Sequence, residues 1–87
     1  MTDYQRVLER PTAAGSVPFQ YGELIWYRQI TNGAGASTLV PGMFERYMNV
    51  RAAVVLAGAV DGLGRVRRVH VLPANVYRRL EGDEVAP

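Results

Sequence analysis

The sequence contains no cysteine, which excludes a disulfide scaffold and any metal site built from thiolates. It holds one histidine, His70, and two serines, Ser16 and Ser37, too few and too scattered to indicate a catalytic triad or a metal-ligand motif. No apolar run approaches the roughly 18 residues of a membrane-spanning helix, and the N-terminal region lacks the apolar segment of a signal peptide. We therefore expect a soluble, cytoplasmic protein that is not an enzyme and carries no metal or cofactor.

Lysine is also absent, so all ten basic residues are arginine. Guanidinium groups bind phosphate and carboxylate through paired hydrogen bonds and stack on flat rings, which favours a functional explanation of this bias. The chain is also rich in alanine, glycine and valine, and a GC-rich coding sequence favours these residues together with arginine. Both explanations stay open.

The 87 residues, 48% of them hydrophobic, are enough for one domain. A domain of this size is marginally stable alone, so an oligomer or a ligand would help it. We predict an N-terminal arm and linker over residues 1–18, a barrel over 19–82 and an acidic tail over 83–87. The amphipathic spacing within residues 2–10 predicts a short helix in the arm, which Pro11 ends.

The stretch from Val50 to Leu80 organises the rest of the chain. Two apolar, β-branched runs flank an Asp-Gly-x-Gly connection at residues 61–64, which predicts a β-hairpin. In the returning strand, we expect Val69 and Val71 to face the core and Arg68 and His70 to face outward.

Residues 24–30 have apolar side chains on both faces. This pattern predicts a strand whose two faces are both buried, one by the core and one by another segment. Trp26 and Tyr27 lie in this strand. They either fill the core or contact a partner at the rim of the barrel.

Residues 33–49 are typical of a long loop. Within it, Met43 with Tyr47, and Phe44 with Met48, are spaced four residues apart, which predicts a short helix. The loop either carries binding contacts, with Phe44 and Tyr47 as the candidates, or closes one end of the barrel.

The segment VHVLPANVYRRLE, residues 69–81, resembles the end of an SH3-like barrel, in which a strand runs through a Pro-x-Asn 3-10 turn into a short final strand. Pro73–Asn75 stands at that turn. Residues 19–25 are similar to the start of the first strand of such barrels. The resemblance implies a mainly all-β fold, an SH3-like five-stranded small barrel, here with the short N-terminal helical arm and a short helix in the long loop 33–49.

The small plasmid-borne (type II) dihydrofolate reductases are also SH3-like barrels, and they assemble as tetramers around a shared pore. Their closing strand carries a Val-Gln-Ile-Tyr-Pro motif that binds cofactor and folate, and residues 69–73 resemble it. The glutamine and tyrosine of the motif are His70 and Leu72 here. The resemblance implies an oligomeric reductase, with its binding chemistry altered at these two positions.

The second face of the strand that follows Val50 is nearly free of charge, and it carries Ala53, Val55 and Ala57. Burying such a face between two copies would stabilise a dimer by roughly 25 cal/mol per Å2 of apolar area, before the cost of association. We therefore expect self-association through these three residues, as a homodimer or a larger oligomer.

Seven arginines lie between positions 46 and 79, where the only acidic residue is Asp61. Five of them are expected to form one basic stripe on adjacent strands: Arg65, Arg67, Arg68, Arg78 and Arg79. His70, between the arginines, is a further candidate contact. Contacts of this stripe with nucleic-acid phosphates would be salt-sensitive, and in an assembly the same arginines would pair with acidic groups of a neighbouring copy.

We favour a small non-enzymatic binding and assembly module, of the kind a phage or mobile genetic element carries, whose partner is a second copy of itself. A nucleic-acid-binding protein that uses the arginine stripe is the alternative, with an acidic protein surface as a further partner for the same residues. The reductase comes last, and no membrane partner is expected.

Overall fold

A computed structural model of the chain describes residues 4–15, 18–30, 37–60 and 62–84. The elements follow in chain order: α1 (Tyr4–Leu8), β1 (Leu24–Ile30), β2 (Ser37–Met48), β3 (Arg51–Val60), β4 (Val66–Val71), a 3-10 turn (Pro73–Asn75) and β5 (Val76–Arg78). The predicted, mainly all-β fold is confirmed, and so is the short helix in the arm. Within these ranges, no helix is long and apolar enough to cross a membrane.

The five strands form one antiparallel sheet in the order β4-β3-β2-β1-β5. The predicted hairpin is formed by β3 and β4, in which Ala52 pairs with Val71 and Val54 pairs with Val69. Its connection includes Gly64, whose φ of +82° lies in the left-handed region, where glycine is favoured because it has no Cβ.

The main core lies on one side of the sheet, where alternate strand residues point. Its buried members are Ala13, Phe19, Ile25, Tyr27, Phe44, Ala52, Val54 and Val76. Val69 and Val71 pack against this cluster, as their alternation with outward residues predicted. Each large apolar side chain buried here contributes about 1.5–3 kcal/mol of transfer free energy.

A second, smaller core covers the opposite face of β1 and β5. Val7 of α1 is fully buried there against Trp26, Leu39 and Tyr77. Strand β1 is therefore covered on both faces, as its double-sided apolar pattern predicted. A helix of five residues is unstable alone in water, so this packing holds α1 in place.

After α1 the chain continues along the edge of β5. Thr12 forms a bridge with Tyr77, and the N–H of Ala13 donates to the carbonyl of Val76 at 2.9 Å. These backbone bonds occupy the free edge of a strand only three residues long. The arm therefore belongs to the same packed unit as the barrel.

The predicted helix in the loop 33–49 is wrong, because Ser37–Met48 is strand β2; residues 33–36 lie outside the described part of the chain. Side chains four residues apart share a face of a regular strand as well as of a helix, so the spacing that predicted a helix does not exclude a strand. Strand β2 also carries a bulge between Phe44 and Arg46, which interrupts the alternation that would have indicated it.

Candidate binding surface

Strands β2, β3 and β4 bring polar side chains together on the outer face of the sheet. Arg46, Ala53 and His70 are paired across the three strands in one row. In the next row facing the same side, Val55 pairs with Arg68 of β4. The small side chains in the middle of these rows allow long side chains from β2 and β4 to meet above β3.

The bulge in β2 adds Glu45 to this face. Its carboxylate accepts a hydrogen bond from Arg68 Nε at 2.8 Å, so the ion pair spans from β2 to β4. The bonded carboxylate raises the pKa of Arg68 above its ordinary value. The Arg68 side chain is 53% exposed, so the pair itself contributes little to stability.

Tyr21 is placed at this face by a tight turn before β1. The N–H of Glu23 donates to the carbonyl of Gln20, closing the turn. Gly22 has a φ of +86°, which requires glycine, and its N–H donates to the carbonyl of Phe44 at 2.9 Å. This bond fixes the turn beside the bulge, and Tyr21 remains 75% exposed.

These side chains line an open, shallow depression, hereafter the outer depression, formed by Tyr21, Glu45, Arg46, Arg68 and His70. Arg46 and His70 make no hydrogen bond or ion pair with any residue in the described part of the chain. Two guanidinium groups against one carboxylate leave the outer depression positively charged. Its chemistry fits an anion that accepts hydrogen bonds.

The predicted apolar face on β3 is corrected at one of its three residues, Ala53. Ala53 is only 1% exposed, because the longer side chains of Arg46 and His70 flank it on both neighbouring strands. Val55 is partly buried, and the side chain of Ala57 lies outside the described part of the structure. Ala53 therefore cannot supply exposed apolar area for a second copy.

The predicted single stripe of arginines is also corrected. Its members are divided between the two ends of the sheet order: Arg65, Arg67 and Arg68 at β4, and Arg78 and Arg79 at β5. The carboxylate of Glu23 accepts a hydrogen bond from Arg78, whose guanidinium lies 4.5 Å from the ring centroid of Phe19. Arg79 lies 5.5 Å from the ring centroid of Trp26. The arginines near β5 are thus engaged within the chain.

Most of the aromatic residues predicted as possible binding contacts are buried in the two cores. Trp26, Tyr27 and Phe44 are all less than 10% exposed. Tyr47 is 41% exposed, but its hydroxyl donates to the carbonyl of Ala13 at 3.1 Å. It thereby ties the segment after α1 to β2.

Asp83, predicted to begin an acidic tail, is instead packed at the end of the sheet. Its side chain is 4% exposed and pairs with Arg10. It also accepts hydrogen bonds at 2.9 Å from Trp26 Nε1 and from the N–H of Leu80. These donors, Arg10 first, hold the pKa of Asp83 well below its ordinary value. We call this arrangement the Asp83 clamp.

Sequence reasoning identified Arg68 and His70 but missed Tyr21, Arg46 and Glu45. The available signal was the Tyr-Gly pair at residues 21–22, which marks an exposed turn residue before a strand. Among the residues that the structure describes, no group of three or more His, Asp or Glu side chains is arranged to hold a metal ion. No protein-family model matches the chain, and no curated protein and no solved structure matches it.

Proposed function

We propose that this protein is a non-enzymatic binding module that recognises a negatively charged partner through the outer depression. The observation that carries this proposal is the guanidinium of Arg46 and the imidazole of His70, which have no partner among the described residues, beside the half-exposed Arg68. Groups that serve only the fold are usually bonded within the chain, as Arg10 and Arg78 are. Arginine donors on an open face are well suited to carboxylate or phosphate.

An SH3-like barrel is the architecture we propose for this module, in a cytoplasmic protein. The 3-10 turn at Pro73–Asn75 between β4 and the three-residue β5 supports the resemblance of this segment to the closing part of such barrels. The turn is closed by a bond from the N–H of Asn75 to the carbonyl of Leu72 at 2.8 Å.

The test is binding of fluorescent polyanions, namely DNA and polyglutamate, followed by anisotropy at low and moderate salt. We expect an affinity that falls as salt rises, because arginine contacts release counterions from the polyanion. Replacing Arg46 and Arg68 together by alanine should weaken binding about tenfold or more. Arg6→Ala is the matched control, since Arg6 is exposed on α1, away from β4. Equal losses in both variants, or no binding to either polyanion, would refute the proposal.

Self-assembly is the second candidate function, and the free edge of β4 supports it. In the described part of the chain, β4 pairs only with β3. Val66 at the start of β4 and Leu72 directly after its end are each 48% exposed, and a free edge with exposed apolar side chains favours pairing with a second copy.

Light scattering coupled to size exclusion tests this second candidate. A homodimer joined at β4 should become a monomer when Val66→Lys places a charge on the edge. Val50→Lys changes a residue that is 70% exposed in the turn before β3, and it should leave the dimer intact. A monomeric parent protein would rule out this candidate.

The reductase hypothesis rests only on the resemblance of residues 69–73. His70, at the position of the motif's glutamine, lines the outer depression, and Leu72, at the tyrosine position, presents an apolar surface. We expect no NADPH-dependent reduction of dihydrofolate by the purified protein. Measurable turnover in a spectrophotometric assay would replace the binding-module proposal.

A further inference from the structure

We infer that the partner of the outer depression is single-stranded nucleic acid, with a base stacked on Tyr21 and phosphates held by Arg46, Arg68 and His70. This inference rests on the proposed recognition of a negatively charged partner and specifies that partner. It follows from an aromatic ring and cationic groups meeting on one open face.

The hydrogen-bond donors of Arg46, Arg68 and His70 are placed to contact more than one phosphate. Arg46 and His70 occupy one row of the sheet, and Arg68 occupies the next row on the same face. Along β4, residues two apart on one face are separated by about 6.6–6.8 Å. Donors from two rows can therefore contact successive phosphates of an extended nucleic-acid strand, whereas a single isolated anion would use only one row.

Tyr21 is what distinguishes a nucleic acid from an acidic protein as partner. Its side chain is 75% exposed, and it lines the outer depression together with Arg68. A carboxylate-bearing partner needs only the cationic groups. A base needs a flat ring to stack on, and stacking on aromatic side chains is a main source of affinity for single strands.

A duplex would use this surface less well than a single strand. The faces of its bases are stacked inside the helix, so only its phosphates could reach the outer depression. The outer depression is shallow, and in the described part of the chain no helix or strand projects from it towards a groove. A flexible strand can turn a base onto Tyr21 while its backbone follows β4.

The ion pair with Glu45 limits how readily Arg68 can bind a phosphate of this partner. In the absence of a ligand, the Glu45 carboxylate holds Arg68 Nε at 2.8 Å. An incoming phosphate must compete with it and is also repelled by its charge. Removal of this charge should therefore increase affinity, whereas removal of a residue needed only for folding should not.

The experiment measures fluorescence anisotropy of labelled oligothymidylate and of a duplex of the same length. We expect the single strand to bind at least tenfold more tightly than the duplex at about 50 mM salt, and to weaken at about 200 mM. Tyr21→Ala should reduce affinity for the single strand about 5-fold or more, the loss of one stacked base. Glu45→Gln should raise it several-fold, and Arg6→Ala should change it little.

The possible outcomes distinguish single-strand recognition from the more general proposal of anion recognition. Loss of affinity in the Arg46 and Arg68 variants with no effect of Tyr21→Ala, or equal binding of duplex and single strand, would overturn single-strand recognition and leave anion recognition standing. Polyglutamate bound more tightly than oligothymidylate would also overturn it. Absence of binding to every polyanion would refute both. Thermal unfolding of each variant serves as the folding control, and Tyr21→Ala should unfold like the parent because the ring is exposed.

Discussion

The Asp83 clamp should be one of the largest single contributions to stability in this chain, and Asp83→Asn tests it. The substitution keeps the size of the side chain but removes its charge and replaces one acceptor oxygen by a donor. In the native clamp, Arg10 Nη1 lies 2.6 Å from Oδ2, and Arg10 Nη2 lies 2.9 Å from Oδ1. The amide of asparagine can accept from only one side, so at least one donor loses its partner.

The expected loss of unfolding free energy in Asp83→Asn lies between the contribution of one charged hydrogen bond and the cost of breaking a buried ion pair. A hydrogen bond to a charged group contributes about 1.5–3 kcal/mol, and breaking a fully buried pair costs about 3–5 kcal/mol. The Arg10 side chain is 18% exposed, so it can turn partly to water and recover some of the loss. We expect the free energy of unfolding to fall by about 2–3 kcal/mol, a large fraction of the total of about 4–13 kcal/mol for a domain of this size.

Urea unfolding provides the measurement, with far-UV circular dichroism and the fluorescence of Trp26 as two probes. The single tryptophan donates to Asp83, so its emission reports on the clamp itself. In a separate thermal unfolding experiment, the melting temperature of Asp83→Asn should fall by about 10–20 °C. Glu84→Gln is the matched control, because it removes the same charge from the exposed neighbouring residue. A loss below about 0.5 kcal/mol for Asp83→Asn, or the same loss in the control, would refute the reasoning.

Three further predictions concern the same structure. Since the pKa of Asp83 is lower in the folded than in the unfolded chain, its stabilisation is complete above about pH 4 and is lost as pH falls towards the folded-state pKa; acid titration of stability should be flatter in Asp83→Asn, and an unchanged acid limb would contradict this. Gly42→Ala would place its Cβ 2.8 Å from a carbonyl oxygen of β3, so it should cost about 1–3 kcal/mol in urea unfolding, whereas Gly62→Ala, with no atom within 4 Å of the added Cβ, should cost less than about 1 kcal/mol. Val7→Ala should cost about 2 kcal/mol and shift Trp26 emission to the red as α1 loosens, and an unchanged emission maximum would show that α1 does not depend on this contact.

The parts of the fold that sequence predicted are those fixed by neighbouring residues. The hairpin of β3 and β4 follows from two β-branched runs around a glycine-rich turn, and the turn at Pro73–Asn75 follows from a local motif. Strand β2 was missed because its bulge at residue 45 breaks the two-residue period on which recognition of a strand depends. Nothing within residues 37–48 reveals the bulge, which is defined only by the pairing with β3.

The candidate site depended on pairings that no local pattern contains. Arg68 and His70 were recognised because they stand in a basic run, but Arg46 joins them only through the register of β2 with β3. Tyr21 reaches the same face only because the turn before β1 is bonded to Phe44. The Asp83 clamp joins residues 73 positions apart, so sequence spacing gave no indication of it.

The separation of Arg10 and Asp83 along the chain also determines when the Asp83 clamp can form during synthesis on the ribosome. At a synthesis rate of about 5–20 residues per second, Asp83 is added roughly 4–15 s after Arg10. Until β5 has been made, Val7 lacks Tyr77, one of the side chains that bury it. A chain that stops before the last strand would therefore leave the apolar face of α1 without part of its cover.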